Sequence, residues 1–159
     1  GDAYVAVNVS ARTLARPEYA DEVLQALHAI EFPATRLHLE VTETTLLSID
    51  KSVLANMRKL ADAGIDWYVD DFGTGYSSIS HLRDLPIAGL KLDRSFTGEL
   101  SAPALSSAQL ASALAGLARV LNLDTVAEGV ETAEQATLLA AQGWRNGQGW
   151  LFGRPAPLA

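Results

Sequence analysis

The chain has 159 residues, 48% of them hydrophobic and 19% charged, which is enough length and apolar content for a buried core and excludes disorder of the whole. A formal net charge of −7 excludes a general affinity for DNA or RNA polymers, and the absence of cysteine excludes disulfides, thiolate nucleophiles and cysteine-bound zinc. No apolar run approaches the roughly 20 residues of a membrane span, and no signal-peptide layout opens the chain, so a cytoplasmic location is expected, with any membrane tether upstream.

In chain order, short β-branched runs alternate with longer segments of helical period. The predicted strands are AYVAVNV (3–9), RLHLEV (36–41), IDWYVD (65–70), AGLKLD (88–93), DTVAEGV (124–130) and a weaker one at 145–151. Pro17 suits the first turn of a helix running to about Ile30. Asp50 can cap a second helix, whose Val53, Met57, Leu60 and Ala61 form an apolar stripe ending before Gly64. Leu110, Leu114, Leu117 and Leu121 repeat the pattern after Ser106 or Ser107, and Thr132 opens a helix through Leu138 and Leu139 that stops at Gly143. This alternation predicts a parallel α/β fold.

Side-chain parity separates two faces of the strands. Val5, Val7 and Val9, Leu37, Leu39 and Val41, and Leu90 and Leu92 make one aliphatic face. The other face ends in Asn8, Glu40, Asp70, Lys91 and Glu128, one polar group near the C-terminal end of each of five strands. In a TIM-like (β/α) barrel such ends converge on the active-site mouth. A closed barrel of eight strands needs about 250 residues, so the expectation is an incomplete barrel lacking about two N-terminal strands. Its open edges invite pairing, with a homodimer completing the barrel by exchange as one arrangement.

The adjacent acids of YVDDFGTGYSS (68–78) call for a cation, a shared proton or a well-solvated turn, because neighbouring carboxylates repel. Together, Asn8, Glu40, Asp70 and Asp71 form a hard oxygen set suited to Mg²⁺ or Mn²⁺. Two such ions could activate water and neutralise a phosphoryl group in an in-line displacement. Lys91 could hold the attacking water or a phosphate oxygen, and Glu128 could ligate the second ion or take a proton from the water. The plain alternatives are a turn for Asp70 and Asp71, a solvated charge for Lys91, and helix-start acids for Glu43 and Glu131. Packing accounts for Trp67, Trp144 and Trp150, and His28, His38 and His81 show no ligand spacing.

The ordered segments VNVS, LEVTE, DDFGTGYSS, LKLD, AEGVE and GQGWLFGRP resemble the successive motifs of the EAL-domain phosphodiesterases of cyclic di-GMP signalling, over residues 8–155. The resemblance implies Mg²⁺- or Mn²⁺-dependent hydrolysis of cyclic di-GMP to linear pGpG. It implies metal ligation by Asn8, Glu40 and Asp70, with Asp71 and Glu128 serving a second metal and its water. Lys91 then positions water and contacts substrate, Glu128 acts as base or water ligand, and Gln148 stands near the centre. Glu131 and Trp150 support substrate. Glu43 braces the loop of Phe72, Gly73, Thr74 and Gly75, which lies near the family's dimer interface.

The Glu-Ala-Leu segment that names the family is absent, so residues 1–159 are expected to be the C-terminal portion of one EAL domain, weak or inactive alone. Sensor or cyclase domains are expected upstream. Two other readings compete: a non-catalytic cyclic di-GMP binding module, and a phosphoacceptor receiver domain. The receiver needs its acid pair on the first strand, whereas here the pair stands on the third.

Overall fold

The computed structural model describes residues 3–75, 79–99 and 105–156, without the side chains of residues 79–81, 99, 105 and 106. Tyr76, Ser77 and Ser78 of the acid-pair stretch, and the side chains of His81 and Ser106, lie outside the described residues. The elements are β1 (Val5–Asn8), α1 (Ala11–Leu14), α2 (Tyr19–Ala29), β2 (Leu37–Thr42), α3 (Glu43–Leu46), α4 (Lys51–Asp62), β3 (Asp66–Phe72) and α5 (Ile79–Asp84). They continue with β4 (Gly89–Leu92), α6 (Arg94–Glu99), α7 (Leu105–Val120), β5 (Asp124–Ala127), α8 (Ala133–Gln142) and β6 (Asn146–Gly147). The strands follow chain order in a six-stranded sheet, and the pairings β1–β2, β2–β3 and β5–β6 are parallel. Parallel neighbours joined through helices make the α/β, TIM-like pattern that the alternation predicts, with six strands instead of eight. Contacts group the chain into two compact units, Gly1–Asp70 with Gly75–Gly89, and Asp71–Thr74 with Leu90–Ala159.

In the first unit, Leu37, Leu39 and Val41 of β2 and Trp67 and Val69 of β3 are buried, together with Val53, Met57 and Leu60 of α4. The 3.6-residue period puts these three helix residues on one stripe, and Asp50 caps it by accepting the Val53 N–H at 2.9 Å. Such a cap contributes about 1 kcal/mol. Polar groups inside this core are satisfied: Trp67 Nε1 donates to the Met57 carbonyl at 3.1 Å, and Asn56 Nδ2 donates to the carbonyls of Leu14 and Arg16 at 2.9 and 2.8 Å. The aliphatic face read for β1 is buried only at Val9, with Val5 49% and Val7 44% exposed, while α1 and α2 pack against α4.

In the second unit, Leu92, Ala111, Ala115, Ala127, Val130, Leu139 and Trp144 form the core. Here the leucine stripe read along α7 faces inward only in part: Leu114 packs against the core and Leu110 is 43% exposed, whereas Ala111, Ala115 and Ala118 are buried. Short side chains let the helix backbone come close, and the Trp144 indole N–H reaches the Ala111 carbonyl at 3.2 Å. The expected strand at 145–151 contracts to Asn146–Gly147, and β5 ends at Ala127, one residue before Glu128.

Candidate active site

Strand register assembles the first unit's polar groups. Asn8 pairs with Glu40, Glu40 with Tyr68 and Thr42 with Asp70, so Asn8, Glu40 and Asp70 share one face of the sheet near the strand ends. Glu40 is buried, Asp70 half-buried and Asn8 exposed. Below them on the same face, the His38 ring stacks between Tyr4 and Tyr68, with centroids 4.1 and 4.9 Å apart. Tyr68 in turn covers Gly89, where an added Cβ would stand 2.3 Å from the Tyr68 Cε1. An aromatic layer thus fills the space beneath the carboxylates.

Strict strand alternation would send Asp70 and Asp71 to opposite faces. Asp71 escapes it through a left-handed backbone, φ 53°, a conformation that Asp tolerates better than most residues because its short side chain can bond locally. Within the second unit, a carboxylate oxygen of Asp71 lies within 4.8 Å of one of Glu128. The sequence reading missed Asp93, whose carboxyl lies beside that of Asp71. Burial raises the Asp93 pKa, but the Ser95 hydroxyl and N–H, the Asp71 contact and the Arg94 charge outweigh it, leaving the pKa below the usual value. The LKLD segment contained the signal, since Asp93 follows Lys91 by two residues and so has the parity of the polar face. β4 ends at Leu92, so Asp93 stands just beyond the strand.

Lys91 is buried on β4, and its Nζ stands 2.5 Å from Glu128 Oε1. Glu128 is held at the end of β5 by its N–H, which donates to the Leu92 carbonyl at 3.1 Å. Beside it, Gln148 is pinned through the backbone: its N–H reaches the Ala127 carbonyl at 2.8 Å and its carbonyl accepts from Val130 at 3.0 Å. The Gln148 residue itself is exposed, as are Glu131 and Trp150. Glu131 precedes α8 and donates its N–H to Gln135 Oε1 at 2.8 Å, while the Arg154 guanidinium lies 4.8 Å from the Trp150 ring centroid.

The loop after β3 is tied at two points. Thr74 Oγ1 donates to the Asp71 carbonyl at 2.9 Å, and the Gly75 N–H donates to Glu43 Oε2 at 2.9 Å. Glu43 is buried, follows the cap residue Thr42 at the start of α3, and touches Gly75 so closely that an added Cβ would stand 3.0 Å from its Cδ. It is thus a helix-start acid and a loop brace at once. Phe72 is buried beside them in sequence.

Clustered oxygen donors without imidazole or thiolate match a hard divalent cation, which would relieve their mutual repulsion. Nearby, a buried ammonium on Glu128 keeps one acid polarised toward a positive charge.

Comparison with known proteins accords with this geometry. The family described as EAL domain matches residues 1–155. Cyclic di-GMP phosphodiesterase NbdA of Pseudomonas aeruginosa is 42% identical over 155 residues, 98% of this chain but 20% of NbdA. The PaMucR phosphodiesterase in its c-di-GMP complex superimposes with a TM-score of 0.90 at 42% identity, covering 97% of this chain and 68% of the solved chain. BlrP1 of Klebsiella pneumoniae, in a manganese/cy-diGMP complex, gives 0.87 at 28% identity, covering 98% of this chain and 39% of BlrP1. The chain therefore spans about a fifth of the length of its curated relative. No described helix is long and apolar enough to cross a membrane.

Proposed function

The chain belongs to the EAL-domain family, and from that premise we propose that it serves metal-dependent hydrolysis of cyclic di-GMP to linear pGpG, acting as the C-terminal portion of an EAL domain. The observation that carries this reading is the Asp71 and Glu128 carboxylate pair of the second unit, with Lys91 ion-paired to Glu128.

Asn8, Glu40 and Asp70 would hold one Mg²⁺ or Mn²⁺, and Asp71 and Glu128 a second. Bound there, the cations would lower the pKa of a coordinated water and neutralise phosphate charge. Glu128 accepts the proton of the attacking water, and Lys91 orients Glu128 and offers its ammonium to a phosphate oxygen. Gln148, Glu131 and Trp150 contact the dinucleotide, Trp150 through its ring face. Glu43 holds Phe72, Gly73, Thr74 and Gly75 in position behind Asp71. This division of labour assigns charge neutralisation to the acids and substrate orientation to the exposed groups. A dimer and upstream sensor or cyclase domains are part of the same proposal.

The test has two readings. Mn²⁺ should raise the melting temperature of the chain, and Asp71→Asn should abolish the rise; saturation to 100 times Kd stabilises by about 2.7 kcal/mol. A complete domain carrying residues 1–159 should convert cyclic di-GMP to pGpG with Mn²⁺ and lose at least 100-fold in kcat with Glu128→Gln. Cyclic di-GMP bound tightly without product, with metal supplied, would favour the binding-module reading instead.

A further inference from the structure

At the opposite end of β5 from Glu128, a cavity of about 520 Å³ opens between the C-terminal halves of α7 and α8. Thr125, at its inner wall, is three residues before Glu128, which along a strand is roughly 10 Å. Two guanidinium-bearing side chains, Arg119 and Arg145, line it, and neither forms an ion pair among the described residues. Nearby helix C-termini favour cations, which explains one arginine per helix end but not their convergence on open space in an acidic chain.

Three further features point to an occupant. Gln142 also lines the cavity, and its Oε1 is buried with no hydrogen-bond partner, an acceptor facing no donor. Leaving such a group unmatched is costly, so it calls for an N–H or O–H from outside the chain. Thr125 Oγ1 accepts the Arg145 N–H at 3.0 Å, which anchors that arginine's backbone to the cavity wall. Finally, Gly116 sits in the middle of α7, where glycine weakens a helix, and a Cβ there would meet nothing within 4 Å. The space is therefore vacant beside the helix itself.

We propose that this cavity binds a nucleoside monophosphate, with the phosphate between Arg119 and Arg145 and a base N–H on Gln142. Planar guanidinium groups match phosphate oxygens in a bidentate fashion. The volume exceeds what inorganic phosphate fills and falls within the range of small-ligand sites. Gln142 explains why an anion alone would leave the site half satisfied.

Calorimetry with guanosine monophosphate and, separately, inorganic phosphate tests the proposal, in the presence of EDTA so that the carboxylate site holds no metal. The nucleotide should bind at least tenfold more tightly than phosphate. Arg119→Ala and Arg145→Ala should each weaken it at least tenfold. Gly116→Leu should abolish binding without lowering the melting temperature, since its side chain fills open space. Equal affinity for phosphate, absence of heat with the nucleotide, or binding unchanged in all three variants would overturn it.

Discussion

Lys91 Nζ stands 2.5 Å from Glu128 Oε1, with 7% and 21% of the two side chains exposed. Removing one partner of a buried pair strands the other charge and costs about 3–5 kcal/mol, whereas replacing both with apolar groups is often neutral. Lys91→Met should therefore lower stability more than Lys91→Met combined with Glu128→Leu. Urea unfolding of the two variants decides it; a double variant no more stable than the single one contradicts the argument.

The Glu43 bond to Gly75 is charge-assisted and buried at its acceptor. Glu43→Gln retains an acceptor but not the charge, which weakens the bond by about 1 kcal/mol. Amide exchange at Gly75 should accelerate about fivefold at the cited difference, with little change in the melting temperature. Exchange at an unchanged rate would show that the carboxylate does not hold the loop.

Gly89 has no room for a methyl group, since its Cβ would stand 2.3 Å from the Tyr68 ring. Gly89→Ala should destabilise by about 1–3 kcal/mol, the ordinary range for overpacking. Adding Tyr68→Leu should recover part of that loss. Chemical denaturation of both variants measures the coupling, and strictly additive losses would refute it.

Burial raises the pKa of the Tyr19 phenol above its ordinary 10.0. A raised folded-state pKa favours the protonated form, so its contribution is fully present below about pH 10 and is lost as pH rises through the folded value. Tyr19→Phe should flatten the fall in stability above pH 10, read from melting temperatures at pH 9–11. An identical alkaline slope in both proteins would show that Tyr19 titrates normally.

Several parts of the fold were legible because local chemistry sets them. Asp50 as a cap, the Val53, Met57 and Leu60 stripe, and the Thr132 helix start need only their own neighbours in sequence. The leucine stripe of α7 is right in period but lies at the edge of the buried face, since only the partner surface selects Ala111, Ala115 and Ala118 as its centre, with Leu114 beside them. Arg154, placed over Trp150, carried no signal at all in sequence.

The site divides in the same way. By itself the sequence determined the strand alternation, the oxygen-rich donor types and the order of the polar strand ends, since each follows from period, composition and parity. Only the tertiary structure decided that Asp71 takes a left-handed backbone, that Asp93 lies beside Asp71, and that Glu128 meets Lys91. Alternation ends where a strand ends, and beyond that point a side chain's direction is set by a left-handed residue or a backbone hydrogen bond to another strand. Those contacts join residues distant in the chain, and no local pattern encodes them.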